Sequence, residues 1–204
     1  MAKLYFRYGT VGSAKTLNLL AVAHNYERQG KRPLVLKPTF DRRFGDRQVV
    51  SRAGLERPAH LLVSDDTVLD FESFAGCHCV LVDEAQFLSA SVVDQFREIT
   101  RVLNIPVICY GLRTDFRSRL FAGSRRLMEV ADTVEELKTT CAFCNRKAIF
   151  NLKSVDGAPS LAGPSKQLGA EELYQPACHK HYMEKLKLES LREVPSEEQG
   201  DGLQ

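Results

Sequence analysis

Three sets of residues carry side chains whose types and spacing could do chemistry. The first is "GTVGSAKT" (Gly9, Thr10, Val11, Gly12, Ser13, Ala14, Lys15, Thr16). A turn of small residues closing on Lys-Thr can wrap its N–H groups around phosphate oxygens, with the lysine on the β- and γ-phosphates and the threonine hydroxyl on Mg²⁺. The usual pattern is G-x-x-x-x-G-K-[ST], and Ala14 stands where its second glycine belongs. If that position needs a positive φ, the extra methyl group costs about 1–3 kcal/mol. In ordinary helical backbone it costs close to nothing. Gly9 and Gly12 keep the turn permissive before it. The plain alternative is a tight strand-to-helix turn with its lysine in solvent.

The second set ends an apolar run, "CVLVDEAQF" (79–87). An acid at the tip of a buried strand, here Asp83, can hold Mg²⁺ directly or through water. The adjacent Glu84 points elsewhere and is free to accept the proton of an alcohol being phosphorylated. Both acids could instead complement the dipole of the helix that follows.

The third set is Cys141-x-x-Cys144 and Cys178-x-x-His181. Two such pairs separated by a loop spell a tetrahedral Cys₃His zinc site that is structural, because protein fills all four positions. His179 competes for the fourth place, but its spacing from Cys178 is cramped. Reduced free cysteines are the other reading. Cys77 and Cys79 share a face by strand alternation and read as core thiols, as does Cys109 inside an apolar strand.

These groups need a scaffold, and the pattern supplies one. "KLYFRY" (3–8) is a strand running into the small-residue turn, and a helix follows over about 15–29, with Leu19, Leu20, Ala23 and Tyr26 at helical spacing and Gly30 as its stop. Further strands are expected at 33–37, 60–64, within 77–87 and at 105–112, and further helices at 89–103 and 120–131. The arginine-rich stretch 41–52 reads as a loop. Strands apolar on both faces, alternating with helices, imply an α/β fold with a mostly parallel sheet. The pattern changes near residue 139. A β-like piece (147–153) and a Gly/Pro/Ser-rich flexible segment (154–169) carry too little apolar material for an independent core, so this part needs a staple. The division expected is 1–138 as a nucleotide-binding core, 139–190 as a zinc-binding lasso, and 191–204 as a disordered tail.

Composition sets the outer limits. The 204 residues, 44% hydrophobic and 26% charged, suit one full domain plus an appendage. A net charge of +2 argues neither for nor against nucleic acid by itself; the near-neutral total weakens a nucleic-acid-binding module, and no nucleic-acid partner is expected. No apolar run approaches the roughly 18 residues that span a bilayer, so no membrane partner is expected either. The N-terminus lacks the apolar stretch of a signal peptide, which predicts a cytoplasmic protein whose cysteines are thiols or metal ligands.

Taken in order, "LYFRYGT", "AKT", "DRRFG", "VVSRAG", "CVLVDEAQFL", "IPVICYGLRTDF", "LFAGS", "ELKTTC" and "YQPACHKHY" resemble the bacterial type II thymidine kinase family over about residues 3–183. The resemblance implies a P-loop NTPase (RecA-like) core with a zinc-bound lasso. It makes residues 9–16 the ATP phosphate loop, Asp83 with Thr16 the Mg²⁺ partners, and Glu84 the base on the nucleoside 5′-hydroxyl. Arg43 becomes a phosphate-side cation, with Ala85 and Gln86 beside the nucleotide. The deoxythymidine pocket would draw on Val11, Phe87, Leu112, Phe116, Phe121, Asn151 and Tyr174, and the assembly would be a tetramer. Two positions depart from the family pattern, Ala14 in the loop and Ala170 where the lasso usually has a glycine. A P-loop ATPase of another class and a non-catalytic zinc module that binds nucleic acid or protein are the rival functions.

Overall fold

The computed structural model describes residues 1–41, 45, 47–165 and 173–195. Arg43, Ala170 and the chain beyond residue 195 lie outside them. Strand β1 (Leu4–Tyr8) runs through the small-residue turn into helix α1 (Lys15–Arg28) and on to β2 (Pro33–Pro38). A short antiparallel hairpin, β3 (Gln48–Val50) and β4 (Glu56–Pro58), precedes β5 (Leu61–Val63). Then come β6 (Cys79–Val82), α2 (Ala90–Val102), β7 (Val107–Gly111), α3 (Ala122–Val130) and β8 (Thr133–Glu136). Six of these strands form one sheet in the order β5-β2-β6-β7-β1-β8, and every pairing in it is parallel.

Parallel strands carry their carboxyl ends to a common edge, where α/β proteins bind ligands. Because β6, β7 and β1 are neighbours, Asp83, Leu112 and the small-residue turn all emerge side by side on that edge. Alternation then decides which helix covers what. Val80 and Val82 of β6 pack with Val92, Phe96, Ile99 and Leu127 from α2 and α3, whereas Cys79 and Leu81 pack with Leu19, Leu20 and Ala23 of α1. Each large apolar side chain fully buried this way contributes roughly 1.5–3 kcal/mol, which keeps the strand tips fixed beneath the site.

The expected sheet and helices lie where the sequence places them, with three additions. The hairpin β3–β4 overlaps the stretch expected as loop, β8 forms the sheet edge, and α4 (His179–Leu186) follows Cys178. Cys77 and Cys79 correct the alternation argument. Both are buried, but Cys77 joins the cluster under α2 and α3 while Cys79 faces α1, because β6 begins only at Cys79.

After residue 139 the chain builds a smaller layer. Strands β9 (Phe150–Val155), β10 (Ala158–Pro159) and β11 (Tyr174–Ala177) pair antiparallel in the order β10-β9-β11, and Phe150, Leu152, Ala177, Tyr182 and Val194 form its core. That cluster corrects the start of the tail. Leu191–Glu193 form a 3-10 turn capped by Ser190, and Val194 behind it is buried, so packing continues past residue 191.

Candidate active site

Ala14 answers the question its sequence raises. It has φ 57 and ψ 30, the left-handed region, at the N-cap of α1. The strained alternative therefore holds, and the loop carries a conformation that glycine would adopt freely. Gly12 supplies the other positive φ, +74, and the turn is closed by Ser13 N–H on the Thr10 carbonyl (3.3 Å) and Gly9 N–H on the Gly111 carbonyl (3.3 Å). The Lys15 ammonium folds back over the turn, donating to the Thr10 carbonyl at 2.7 Å and Ser13 Oγ at 3.3 Å. Residues 12–16 line the adjacent cavity, so the ammonium and the start of α1 border the same space.

The acids sit at the tip of β6, across β7 from β1. The Thr16 hydroxyl donates to the Asp83 carboxylate, with oxygens at 3.1 and 3.3 Å. Glu84 also lies in the left-handed region (φ 49, ψ 38), which turns its side chain away from the direction Asp83 takes. The Gln86 amide fixes it there. Gln86 Nε2 donates to Glu84 Oε2 at 2.5 Å, and Gln86 Oε1 accepts the Leu112 N–H at 3.0 Å, which fastens the tip of β6 to the end of β7. Ala85, Gln86 and Phe87 form a 3-10 turn that α3 approaches closely. A Cβ on Gly123 would lie 2.4 Å from the Ala85 carbonyl oxygen and 2.7 Å from that of Leu88, so only glycine admits this approach.

Between these groups lies a cavity of about 380 Å³. The phosphate turn with Thr16 lines it, as do Glu84 and Gln86. Its apolar lining is aromatic, with Phe87 edge-on to Phe121 at 5.6 Å and Phe116 6.2 Å from Tyr174. A cation-bearing turn, a carboxylate and an aromatic slot around one cavity suit a phosphate donor and an aromatic alcohol held together.

Beyond the cavity, Cys141, Cys144, Cys178 and His181 bring four donor atoms within 4.8 Å of one another. Cys144 Sγ and Cys178 Sγ are 3.8 Å apart, and His181 Nδ1 is 3.5 Å from Cys141 Sγ and 3.4 Å from Cys178 Sγ. A tetrahedral zinc with ordinary bond lengths separates sulfur pairs by about 3.8 Å and sulfur from nitrogen by about 3.5 Å. The donor set and the spacing both fit that ion. Burial disfavours the Cys141 thiolate, yet N–H groups of Cys178 and Phe143 and the His181 ring outweigh it and lower the thiol to about 6. Burial acts unopposed on Cys109 and drives its thiol far up, so that sulfur is inert.

A family model described as thymidine kinase matches residues 2–182. The chain belongs to the thymidine kinase family. A thymidine kinase of Lactococcus lactis subsp. lactis is 44% identical over 184 residues, 89% of this chain and 97% of the relative. One from Lactiplantibacillus plantarum is 44% identical over 190 residues, 92% of this chain and 99% of the relative. Among solved structures, Pif1 helicase from Candida albicans shares 12% identity at a TM-score of 0.41, over 67% of this chain and only 36% of the helicase, too distant to carry an argument.

In this thymidine kinase fold all seven residues expected around the nucleoside (Val11, Phe87, Leu112, Phe116, Phe121, Asn151, Tyr174) line the cavity. So do Gly12, Ser13, Ala14, Lys15, Thr16, Glu84 and Gln86. Gly9 and Thr10 lie behind the turn, Asp83 sits behind Thr16, and Ala85 is fully buried in the core. Sequence reasoning missed Leu17, residues 50–53, Asp115 and Ser165. Arg52, at the hairpin tip, brings a guanidinium nitrogen within 3.7 Å of where a Gly12 side chain would begin. "VVSRAG" is part of the family pattern, so that arginine was visible, but only the hairpin reveals that it faces the phosphate turn. Asp115 holds the Arg117 and Arg119 N–H groups at 2.9 Å and the Ser165 hydroxyl at 2.8 Å, bridging the core to the lasso.

Proposed function

We propose that the protein transfers the γ-phosphoryl group of ATP to the 5′-hydroxyl of deoxythymidine. The observation that carries this reading is that one cavity is lined by the phosphate turn, the Glu84 carboxylate and an aromatic slot together. The loop N–H groups, Lys15 and Arg52 hold the triphosphate. Thr16 and Asp83 offer oxygens 3.1 Å apart, near the roughly 2.9 Å that neighbouring ligands of an octahedral Mg²⁺ adopt, and would share that ion. Held there, the ion would supply positive charge against the phosphoryl oxygens.

Glu84 accepts the 5′-hydroxyl proton as that oxygen attacks. Gln86 holds one carboxylate oxygen and so fixes the orientation in which the carboxylate meets the alcohol. Phosphoryl transfer passes through a loose transition state, so positioning and electrostatics supply most of the rate. The aromatic slot binds the thymine and excludes water from the Glu84 region, limiting ATP hydrolysis. The four-ligand cluster would hold zinc and tie together the ends of the lasso, residues 139–190, against the core of residues 1–138. The tetramer implied by the resemblance belongs to the same reading and is checked by light scattering.

The test is ADP formation with and without deoxythymidine. The expected result is ADP release that depends on the nucleoside and matches dTMP formed one for one. Equal ATP hydrolysis without nucleoside would move the protein to another class of P-loop ATPase.

A further inference from the structure

Asn151 lines the cavity, and both the oxygen and the nitrogen of its carboxamide bond to the protein backbone. Oδ1 accepts the Val11 N–H of the phosphate turn at 2.9 Å, and Nδ2 donates to the Thr114 carbonyl at 2.9 Å. The residue is 3% exposed, on β9 of the lasso. Val11 leads directly into the phosphate cradle, and Thr114 leads directly into Asp115 and Phe116 of the nucleoside wall. One side chain therefore joins the linings assigned to both substrates through two backbone groups.

We infer that Asn151 is a positioning residue that couples nucleoside binding to the conformation of the ATP loop. This rests on the assignment of the two substrates given above. The loop has reason to need the link. Ala14 holds it in a sparsely populated conformation, and such backbone persists only where its surroundings fix it. Behind the turn, Thr10 Oγ1 is buried without a hydrogen-bond partner among the described residues, so the side-chain hydrogen bond that reaches the turn from β9 is the one Asn151 makes to Val11. Thymidine packed against Phe116 fixes the backbone at Thr114, Asn151 passes that restraint to Val11, and the loop is set for the triphosphate. Linkage makes the effect reciprocal, so ATP tightens thymidine by the same factor.

The experiment is calorimetric titration of thymidine with and without Mg²⁺ and the β,γ-imido analogue of ATP. In the wild-type chain the analogue should tighten thymidine at least about fivefold, the lower end of ordinary site-to-site coupling. In Asn151→Leu and in Asn151→Ser that factor should fall toward one, whatever happens to each separate affinity. A purely local role in the pocket would weaken thymidine and leave the factor unchanged, which overturns the inference. Hydrogen exchange on the wild-type chain removes any dependence on how the variants fold. Thymidine alone should slow exchange of the Gly12 and Ser13 amides, which belong to the phosphate turn and not to the nucleoside wall, and no change there refutes the coupling. If thymidine binds but is indifferent to the ATP analogue, the coupling falls and the kinase assignment stands. If thymidine does not bind at all, both fall.

Discussion

Restoring glycine at position 14 gives a sharp test of the loop. Ala14 at φ 57 and ψ 30 places a Cβ where L-residues are disfavoured by about 1–2 kcal/mol. Ala14→Gly removes that strain but enlarges the conformational freedom of the unfolded chain, which costs about 0.4–1 kcal/mol. At mid-range the difference favours glycine by about 0.8 kcal/mol. For a chain of this length 1 kcal/mol moves Tm by about 2–4 °C, so a rise of roughly 1–4 °C is expected in scanning calorimetry. Ala14→Val should do the reverse, because a β-branched residue at positive φ is a true outlier. The order of Tm is therefore Gly above Ala above Val. The KM for ATP should hold or fall on going to glycine, by no more than about tenfold, the equivalent of 1.4 kcal/mol. A lower Tm or a higher KM for the glycine variant would show that position 14 is not strained and that the loop works differently.

The remaining predictions each probe a separate contact. Glu84→Gln should fold and bind both substrates yet lose roughly 10²–10⁴ in kcat, and near-normal turnover would remove Glu84 from the role of base. Gln86→Leu should lower kcat more than it raises either KM, because it frees Glu84 and leaves the Leu112 N–H buried without its acceptor; unchanged steady-state kinetics would refute that anchoring. Gly123→Ala forces a methyl group onto the Ala85 and Leu88 carbonyls and should cost about 1–3 kcal/mol, read as a lower Tm together with a lower kcat. A variant as stable and active as the parent would refute the close packing of α3 there. Metal analysis should find one zinc per chain, and removing it with a chelator should abolish thymidine binding while the ATP analogue still binds. Retained thymidine affinity after zinc removal would contradict the staple.

Much of the chemistry was legible because it depends on residue type at fixed spacing. Lys15 and Thr16 after a strand, Asp83 at the end of an apolar run, and four Cys/His ligands in two pairs each carry a local signature, and the parallel sheet brings the first two together. Other features were hidden for physical reasons. The φ of Ala14 is a backbone angle that no side chain announces. The β3–β4 hairpin uses three-residue strands, too short to show alternation, so the position of Arg52 against Gly12 was invisible. Strand β8 reads "TVEE", whose acids suit a sheet edge and do not resemble a buried strand. Asp115 gave no signal of its own, because its partners are backbone N–H groups and a serine brought close only by the fold. Cys77 misled through an assumed alternation that begins two residues later.

The central place of β1 has a consequence for synthesis. Its partners are Val107–Gly111 on one side and Thr133–Glu136 on the other, so β1 is made well before either strand it pairs with. At about 5–20 residues per second, a ribosome needs about 5–20 s to deliver the first of those partners. Throughout that interval the nucleotide loop has no sheet to stand on. Nascent chains halted before residue 111 should therefore be unable to retain ATP, and an apolar N-terminal segment would wait in the open for its neighbours.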